Sequence, residues 1–529
     1  MIQDNILLII SLLLGVSMLA MLSDKLRISY PIFLVVSGLF ISIIPGIPDI
    51  QLQPDLVFLI FLPPLLYAAA WNTSWKDFWK WKRPISLLAF GLVITTACGV
   101  AFFSSYIIPN FGLAFGFLLG GIISPPDAVA ATTVMQELKL PKRIVTILEG
   151  ESLVNDAASL IVFRFALAAI LIGNFNIWKA EANFLYVVAL GVLIGIAIGF
   201  VIYSIHRYLP TTPSIDTAVS LMTPYIMYIA AEHFHSSGVL AVVSGGLFLT
   251  YRSQDIFSYS SRLQMQHVWD TVVFMLNGVV FILIGLQLRS IINGIQEYSI
   301  IASIGYALLI TLLVIVIRIA WIFPNTYIPR LLSKKIRTTE PKPTWQNVLI
   351  VGWSGMRGVV SLASGLAIPL TLSDKTPFPH RDLILFITFI LILVTLVFQG
   401  LTLPWLIKIL KVHSEEDESQ LELAVRLRLA EASLEHMDSH YSELADNDAY
   451  IRVKERYARM IDIAGKRLNM ETNAAEAPAF LPKYRQMLID LVAIKRNELN
   501  KMRHNNSFPD ELIRKKELEL DLEEARLHK

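Results

Sequence analysis

The chain is 529 residues long, 54% hydrophobic and 17% charged, with a formal net charge of +2. So apolar a composition excludes an ordinary soluble globular protein, and an integral membrane protein is the class that fits. Its surroundings are then membrane lipid, and no nucleic acid is expected among its partners. The single cysteine, Cys98, lies in an apolar run, which excludes a disulfide framework.

Up to about residue 411 the sequence is a series of apolar runs of roughly 15–25 residues separated by short polar loops. That length crosses about 30 Å of hydrocarbon as helix. The runs are continuous rather than alternating, so membrane strands are excluded. The first run follows acidic "MIQDN" rather than a basic segment, so no cleavable leader is expected. Spans are predicted at 5–22, 30–44, 54–71, 84–108, 111–138, 147–172, 183–205, 215–232, 237–251, 268–288, 298–324, 344–369 and 383–410, about thirteen in all. The weakest, 30–44 and 237–251, are the two open to being re-entrant.

Alternate loops carry Lys25/Arg27, then Lys76/Lys80/Lys82/Arg83, Lys139/Lys142/Arg143, His206/Arg207, Arg252/Arg262 and finally Arg330/Lys334/Lys335/Arg337/Lys342. The intervening loops are poor in basic residues. By the positive-inside rule the basic side is cytoplasmic, the amino terminus is outside and the carboxyl terminus inside a cell membrane. After Lys411 the composition changes. Residues 412–529, opening "HSEEDESQLELAVRLRLAEASLEHM", mix both charge signs with apolar residues at helical spacing. They predict a helical cytosolic domain, serving assembly, regulation by a ligand, or self-contact. The expected domains are thus 1–411 in the membrane and 412–529 outside it.

Two spans are interrupted. The fifth holds "GGIISPPDAVAATTV", where Pro125 and Pro126 stand in mid-span before Asp127. Tandem prolines remove backbone donors and clash with the preceding turn, so the helix breaks there. The twelfth holds "GWSGMRGVVSLASG", with Gly352, Gly355 and Gly358 around Arg357. A break at membrane depth is tolerated where the freed backbone lines a cavity. If span seven is a linker, the two breaks fall on the fifth span of each of two inverted halves, which points to the midplane site of a secondary transporter.

The polar residues of "LEGESLVNDAASL" divide by helical face. Ser152 and Asp156 share one face, and Glu151 and Asn155 an adjoining one. A charge in hydrocarbon costs several kcal/mol, so these groups face the protein interior and need partners. Arg318 or Arg357 can pair with Glu151 as a structural ion pair, leaving Asp156 without a permanent countercharge. A lone carboxylate in a partly wet cavity is poorly solvated and can exchange a proton for a metal ion. Hard oxygen ligands suit Na+ or Li+: the carboxylates of Asp156 and Asp127, the Ser152 hydroxyl and a carbonyl freed by the Pro125-Pro126 break. Elsewhere, Glu232-His233 reads as a helix-end contact, while Asn277 and Gln399 read as cross-helix hydrogen bonds. Arg164 either snorkels or pairs with a carboxylate.

"SPPDAVAATTV", "ILEGESLVNDAASL" and "GWSGMRGVVSLASGLAIP" together resemble the sodium/proton exchanger family of the cation:proton antiporters, over residues 5–411. The resemblance implies an all-α membrane fold of inverted repeats with two broken helices, forming an antiporter core plus a dimerisation domain. It implies that Asp156 binds sodium and proton in competition, helped by Asp127 and Ser152. Asn155 is then expected to hold the neighbourhood together, and Glu151 to pair with Arg318 and Arg357. Electroneutral exchange, a homodimer and elevator-like motion of spans four to six and eleven to thirteen are further implications. No cofactor is implied beyond the transported ions. Where many relatives carry threonine before the aspartate of the unwound span, this chain has Pro126, so a backbone carbonyl near Ser124–Pro126 must serve instead. Ala68, Ala69 and Ala70 stand where some relatives have an acidic residue.

The leading reading is a Na+ and Li+/H+ antiporter. Potassium/proton exchange is its nearest alternative, and a channel or membrane sensor whose carboxylates gate is the rival of another class. No nucleophile–base pair or metal-ligand spacing supports an enzyme.

Overall fold

A computed structural model describes the chain except for Met1, Arg27 and residues 46–53, 128–130, 134, 136–139, 173–176, 296–297, 341, 373–375, 413–416, 470–479, 505–515, 518 and 525–529. Contacts divide the chain into two compact units, Met1–Ser414 and Glu415–Lys529.

The first unit is built of helices α1 (Ile2–Leu26), α2 (Tyr30–Ile43), α3 (Pro54–Asn72), α4 (Val93–Ile107), α5 (Leu113–Ile123), α6 (Lys142–Ile172) and α7 (Ile177–Tyr208). It continues with α8 (Pro213–His233), α9 (Gly238–Ile256), α10 (Tyr259–Leu286), α11 (Ile300–Leu332), α12 (Trp345–Trp353), α13 (Val359–Leu366) and α14 (Arg381–Val394). A π-helical turn at Leu87–Leu92 joins Lys82–Ser86 to α4, and another at Thr395–Gln399 joins α14 to a last segment, Gly400–Ile409. Each expected span coincides with one helix or with two or three helical pieces. Much of the second half of the fifth, at 128–130, 134 and 136–139, lies outside the described residues. Among the described residues, seven helical stretches are long and apolar enough to cross a membrane, among them Lys142–Leu171, Ile300–Leu332 and Arg381–Ile409. Large apolar side chains such as Phe200, Leu312, Val316 and Trp405 are exposed on the outside of the bundle, as a lipid-facing surface requires.

Local chemistry sets where the helices begin. The side chains of Thr212, Ser237, Ser258 and Thr344 accept from backbone N–H groups in the first turns of α8, α9, α10 and α12. Each thereby satisfies one of the donors that a helix start leaves unpaired. Glycine permits the closest packing. A Cβ on Gly120 would collide with the backbone of Ala97 in α4, and one on Gly121 with the backbone of Phe163 in α6. The helix α5 is therefore clamped between its neighbours by backbone contact.

Two sets of helices pack chiefly within themselves. In one, α2 lies against α10, α7 and α3 against α9, and α8 against both α9 and α10. In the other, α5 lies between α4 and α6, α11 touches α4, α12 and α14, and α13 packs on α5 and α14. A few contacts join the sets, from α3 to α6 and α13 and from α9 to α6. The second unit contains α15 (Asp417–His440), α16 (Asp448–Asn469) and α17 (Phe480–His504). Asp438 of α15 accepts from Tyr450 Oη at 3.0 Å and from Lys454 Nζ at 2.5 Å, tying it to α16.

Candidate ion-binding site

The two predicted breaks exist, and they meet. The helix α5 stops at Ile123, the Ser124 N–H closing its last turn on the Gly120 carbonyl at 3.0 Å, and Pro125–Asp127 are not helical. The helix α12 stops at Trp353, and α13 resumes at Val359. Across this gap the Asp127 N–H donates to the Met356 carbonyl at 2.7 Å. The Asp127 carboxylate lies directly against Gly358, where any Cβ would overlap it. Gly358 caps the start of α13, so the carboxylate abuts the positive end of a helix dipole. Of the three glycines marked in the sequence, Gly355 and Gly358 lie in the break itself. Gly352 is still within α12, in ordinary contact with Ile319.

Two buried arginines hold the breaks open. Arg357 donates from Nε to the Ile123 carbonyl at 3.1 Å and from Nη2 to the Ser124 carbonyl at 3.3 Å, and from Nη1 to Gly355 O. Its own N–H donates to Thr395 Oγ1 at 3.2 Å, within the second π-helical turn. A guanidinium thus satisfies carbonyls that the proline break leaves without helical partners, at the negative end of α5. Arg318 forms a bidentate pair with Glu151, at 2.6 and 2.8 Å, and also donates to the Val351 carbonyl at 3.2 Å. All three side chains are about 1% exposed. Glu151 therefore has its ion pair in Arg318, while Arg357 is spent on carbonyls. Gly355 makes room for this, since a Cβ there would strike the Arg318 side chain.

Asn155 is fully buried and donates from Nδ2 to the Pro126 carbonyl at 2.8 Å, fastening α6 to the break. Ser152 and Asp156, on the next face of α6, open into a cavity of about 750 Å³ between the two helix sets. Pro125, Pro126, Asp127, Thr133, Glu149 and Gly358 line it from one side, and Tyr30, Leu66, Arg262, Trp269, Asp270 and Asn277 from the other. Asp127 and Asp156 lie close enough for their charges to act on each other. Ser124, in contrast, is buried outside the cavity lining, its hydroxyl donating to the Gly121 carbonyl at 3.4 Å. Its backbone carbonyl is the one that Arg357 grips, as Asn155 grips that of Pro126. The cavity thus unites Asp156, Asp127, Ser152, Pro125, Pro126 and Gly358, while Asn155, Glu151, Arg318 and Arg357 stand behind it.

Other contacts tie together segments far apart in sequence, whose partners the sequence did not name. Arg164, two turns beyond Asp156, pairs with Glu232 at 2.9 Å and so joins α6 to α8 across the two helix sets. Glu232 also accepts from the Gly238 N–H at 3.4 Å, the helix-end contact expected of it. Asn277 hydrogen-bonds Tyr30, which also bonds Thr133. Gln399 is buried in the second π-helical turn with Oε1 unpartnered among the described residues. Glu149 had a legible sign that went unused, since its spacing of three and seven from Ser152 and Asp156 puts all three on one face. Among the described residues no group of three or more His, Cys, Asp or Glu side chains is arranged to hold a metal.

Residues 8–409 match the family described as sodium/hydrogen exchanger, transmembrane. A "Sodium, potassium, lithium and rubidium/H(+) antiporter" of Bacillus pumilus is 33% identical over 414 residues, 77% of this chain and 60% of that protein. This chain therefore spans less than two thirds of that relative's length. An uncharacterised Na(+)/H(+) exchanger of Mycobacterium bovis is 30% identical over 98% of this chain and 95% of its own. The Na(+)/H(+) antiporter ApNhaP of Aphanothece halophytica is 31% identical over 82% of this chain and 80% of its own. In fold, the sodium proton antiporter MjNhaP1 of Methanocaldococcus jannaschii superposes with a TM-score of 0.60 at 18% identity, covering 77% of this chain and 99% of that one. With its joined helix breaks and paired aspartates, this chain belongs to the sodium/hydrogen exchanger family of membrane antiporters.

Proposed function

We propose that the chain exchanges Na+, and Li+ with it, for H+ across the cell membrane, with Asp156 binding cation and proton in competition. The observation that carries this reading is the presence of Asp127, Asp156 and Ser152 in one cavity beside the joined helix breaks. Charge counting supports one-for-one, electroneutral exchange. At the joined breaks themselves, apart from Glu149, Arg262 and Asp270 elsewhere in the lining, Glu151 and Arg318 cancel each other, which leaves Arg357 against Asp127 and Asp156. That is an excess of one negative charge, neutralised by one sodium ion or by one proton. The cation's oxygen ligands are then Asp156, Asp127, Ser152 and a carbonyl of the Ser124–Pro126 segment. Because Arg357 and Asn155 already occupy the Ser124 and Pro126 carbonyls, such a ligand oxygen must accept a second interaction or be that of Pro125.

The loop charges support about thirteen spans with the amino terminus outside and residues 412–529 in the cytoplasm. The cavity then opens inward, since Asn72, Ser253 and Arg262 line it beside basic loops. The division into two helix sets with the cavity between them supports elevator-like movement of α4–α6 and α11–α14 against a fixed, dimer-forming remainder. Potassium exchange is the second reading, favoured by the printed name of the Bacillus pumilus relative.

The test is proton flux in proteoliposomes, followed with a pH-sensitive dye while Na+, Li+, K+ or Rb+ is added, with Asp156→Asn as control. Proton movement driven by Na+ and Li+ alone is the expected result. Equal responses to K+ and Rb+ would establish the second reading. Cation flux without proton movement, or an active Asp156→Asn protein, would sink the assignment.

A further inference from the structure

Glu149 is the carboxylate that neither the ion pair nor the aspartate pair uses. It lies on α6 at the same face as Ser152, Leu153 and Asp156, and all four line the cavity. At 1.5 Å of rise per residue it stands about 10 Å along the axis from Asp156. No hydrogen bond or ion pair engages it among the described residues. The basic groups nearest in sequence are committed elsewhere: Lys142 lies 3.9 Å from Asp77, and Arg143 stacks over the Trp81 ring at 4.3 Å. Arg262, the one basic side chain lining the cavity among the described residues, donates to the Phe257 carbonyl at 2.5 Å. Asp270, a further carboxylate, faces the cavity from α10.

Resting on the antiporter reading above, we propose that Glu149 is a positioning residue of the cytoplasmic approach. It draws a hydrated cation into the cavity and holds it one helical turn short of Ser152 before it reaches Asp156. The physical cause is that a carboxylate lining a cavity enclosed by low-dielectric protein focuses its field along the water-filled path. Its location between the basic loops and the aspartates matters as much as its charge. The basic loop residues Lys139, Lys142 and Arg143 precede it in sequence, and Glu149 is the first carboxylate of α6 beyond them. Such a residue raises local cation concentration without touching the ion in its final site. Its removal therefore weakens capture and leaves the later step intact.

The test is steady-state exchange by the full-length protein in everted vesicles, where the cytoplasmic face meets the added Na+. Glu149→Gln is expected to raise the apparent KM for Na+ about three- to tenfold, the range for losing one unit charge at this distance in a partly wet cavity. The maximal rate should stay within twofold, and Glu149→Asp should restore most of the lost affinity. In the unaltered protein, added N-methylglucamine chloride should raise the apparent KM by screening, and it should do so less in Glu149→Gln. A Glu149→Gln protein with unchanged KM, or with a lower maximal rate at unchanged KM, would overturn the proposal while the antiporter reading stood. Should Glu149→Gln fold poorly, Glu149→Ser removes the same charge and replaces it in both arms, with the same outcomes deciding. Failure of the unaltered protein to exchange any cation for protons is the separate sign that the underlying reading is wrong.

Discussion

Asp127 and Met356, 229 positions apart, share a backbone hydrogen bond of 2.7 Å, so the two interrupted helices are joined at their breaks. The join explains why an aspartate can stand at membrane depth. Its backbone is held by the other half of the protein and its carboxylate by the start of α13. Arg357 closes the same junction from the other side by gripping the end of α5.

Gly358 should tolerate no side chain, because a Cβ would occupy the place of the Asp127 carboxylate. Overpacking of this kind costs about 1–3 kcal/mol, here paid by displacing a ligand. Gly358→Ala is expected to weaken apparent Na+ affinity about tenfold or more, by the usual conversion of free energy to binding. Gly352→Ala, facing only an ordinary contact with Ile319, should stay near the unaltered value and serves as the matched control.

Glu151→Gln should act on stability before transport. It leaves the Arg318 guanidinium buried against a neutral amide, and breaking a buried pair from one side destabilises by about 3–5 kcal/mol. Thermal unfolding of the detergent-solubilised protein should show a clear drop. An inactive Glu151→Gln protein of unchanged stability would assign this carboxylate to the ion path instead.

Arg164 and Glu232 make the described ion pair between the two helix sets, at the end of α6 away from Glu149. Both side chains are partly exposed, so Arg164→Ala should change overall stability by less than about 1 kcal/mol. If the helix sets move past each other, the pair must part when the opposite side opens. Arg164→Ala should then increase labelling of a cysteine introduced near Ser237 from outside, and the exchanged pair Arg164→Glu with Glu232→Arg should reverse the effect. Unchanged labelling in Arg164→Ala would mean that the pair is static.

The second unit carries its own acid sensitivity. Hydrogen bonds from Lys454 and then Tyr450 hold the Asp438 carboxyl below the ordinary carboxylate range. A lowered folded-state value means that this stabilisation is complete at neutral pH and is lost as the pH falls through the lowered value. Because the group is exposed, the effect is local. Hydrogen-exchange protection factors at the α15–α16 contact, corrected for the intrinsic rate, should fall in acid, and Asp438→Asn should remove that pH dependence while lowering protection at neutral pH.

Much of this protein was legible in its chain. Continuous apolar runs mark helices because lipid leaves backbone groups no other partner, and Pro125-Pro126 marks a break because proline cannot continue the ladder. Helical spacing alone separated Ser152 and Asp156 from Glu151 and Asn155, a division that the cavity respects. What the chain left open was every pairing between distant segments. Two arginines were equally placed to meet Glu151, and only the packing of α11 against α12 gave it Arg318 and sent Arg357 to the end of α5. Arg164 found Glu232 for the same reason, and Ser124 was turned away from the cavity by the path of the break. Periodicity fixes which side of a helix a residue faces, because it follows from local geometry. The partner on that side depends on how helices far apart in sequence cross, and that is decided only when they pack.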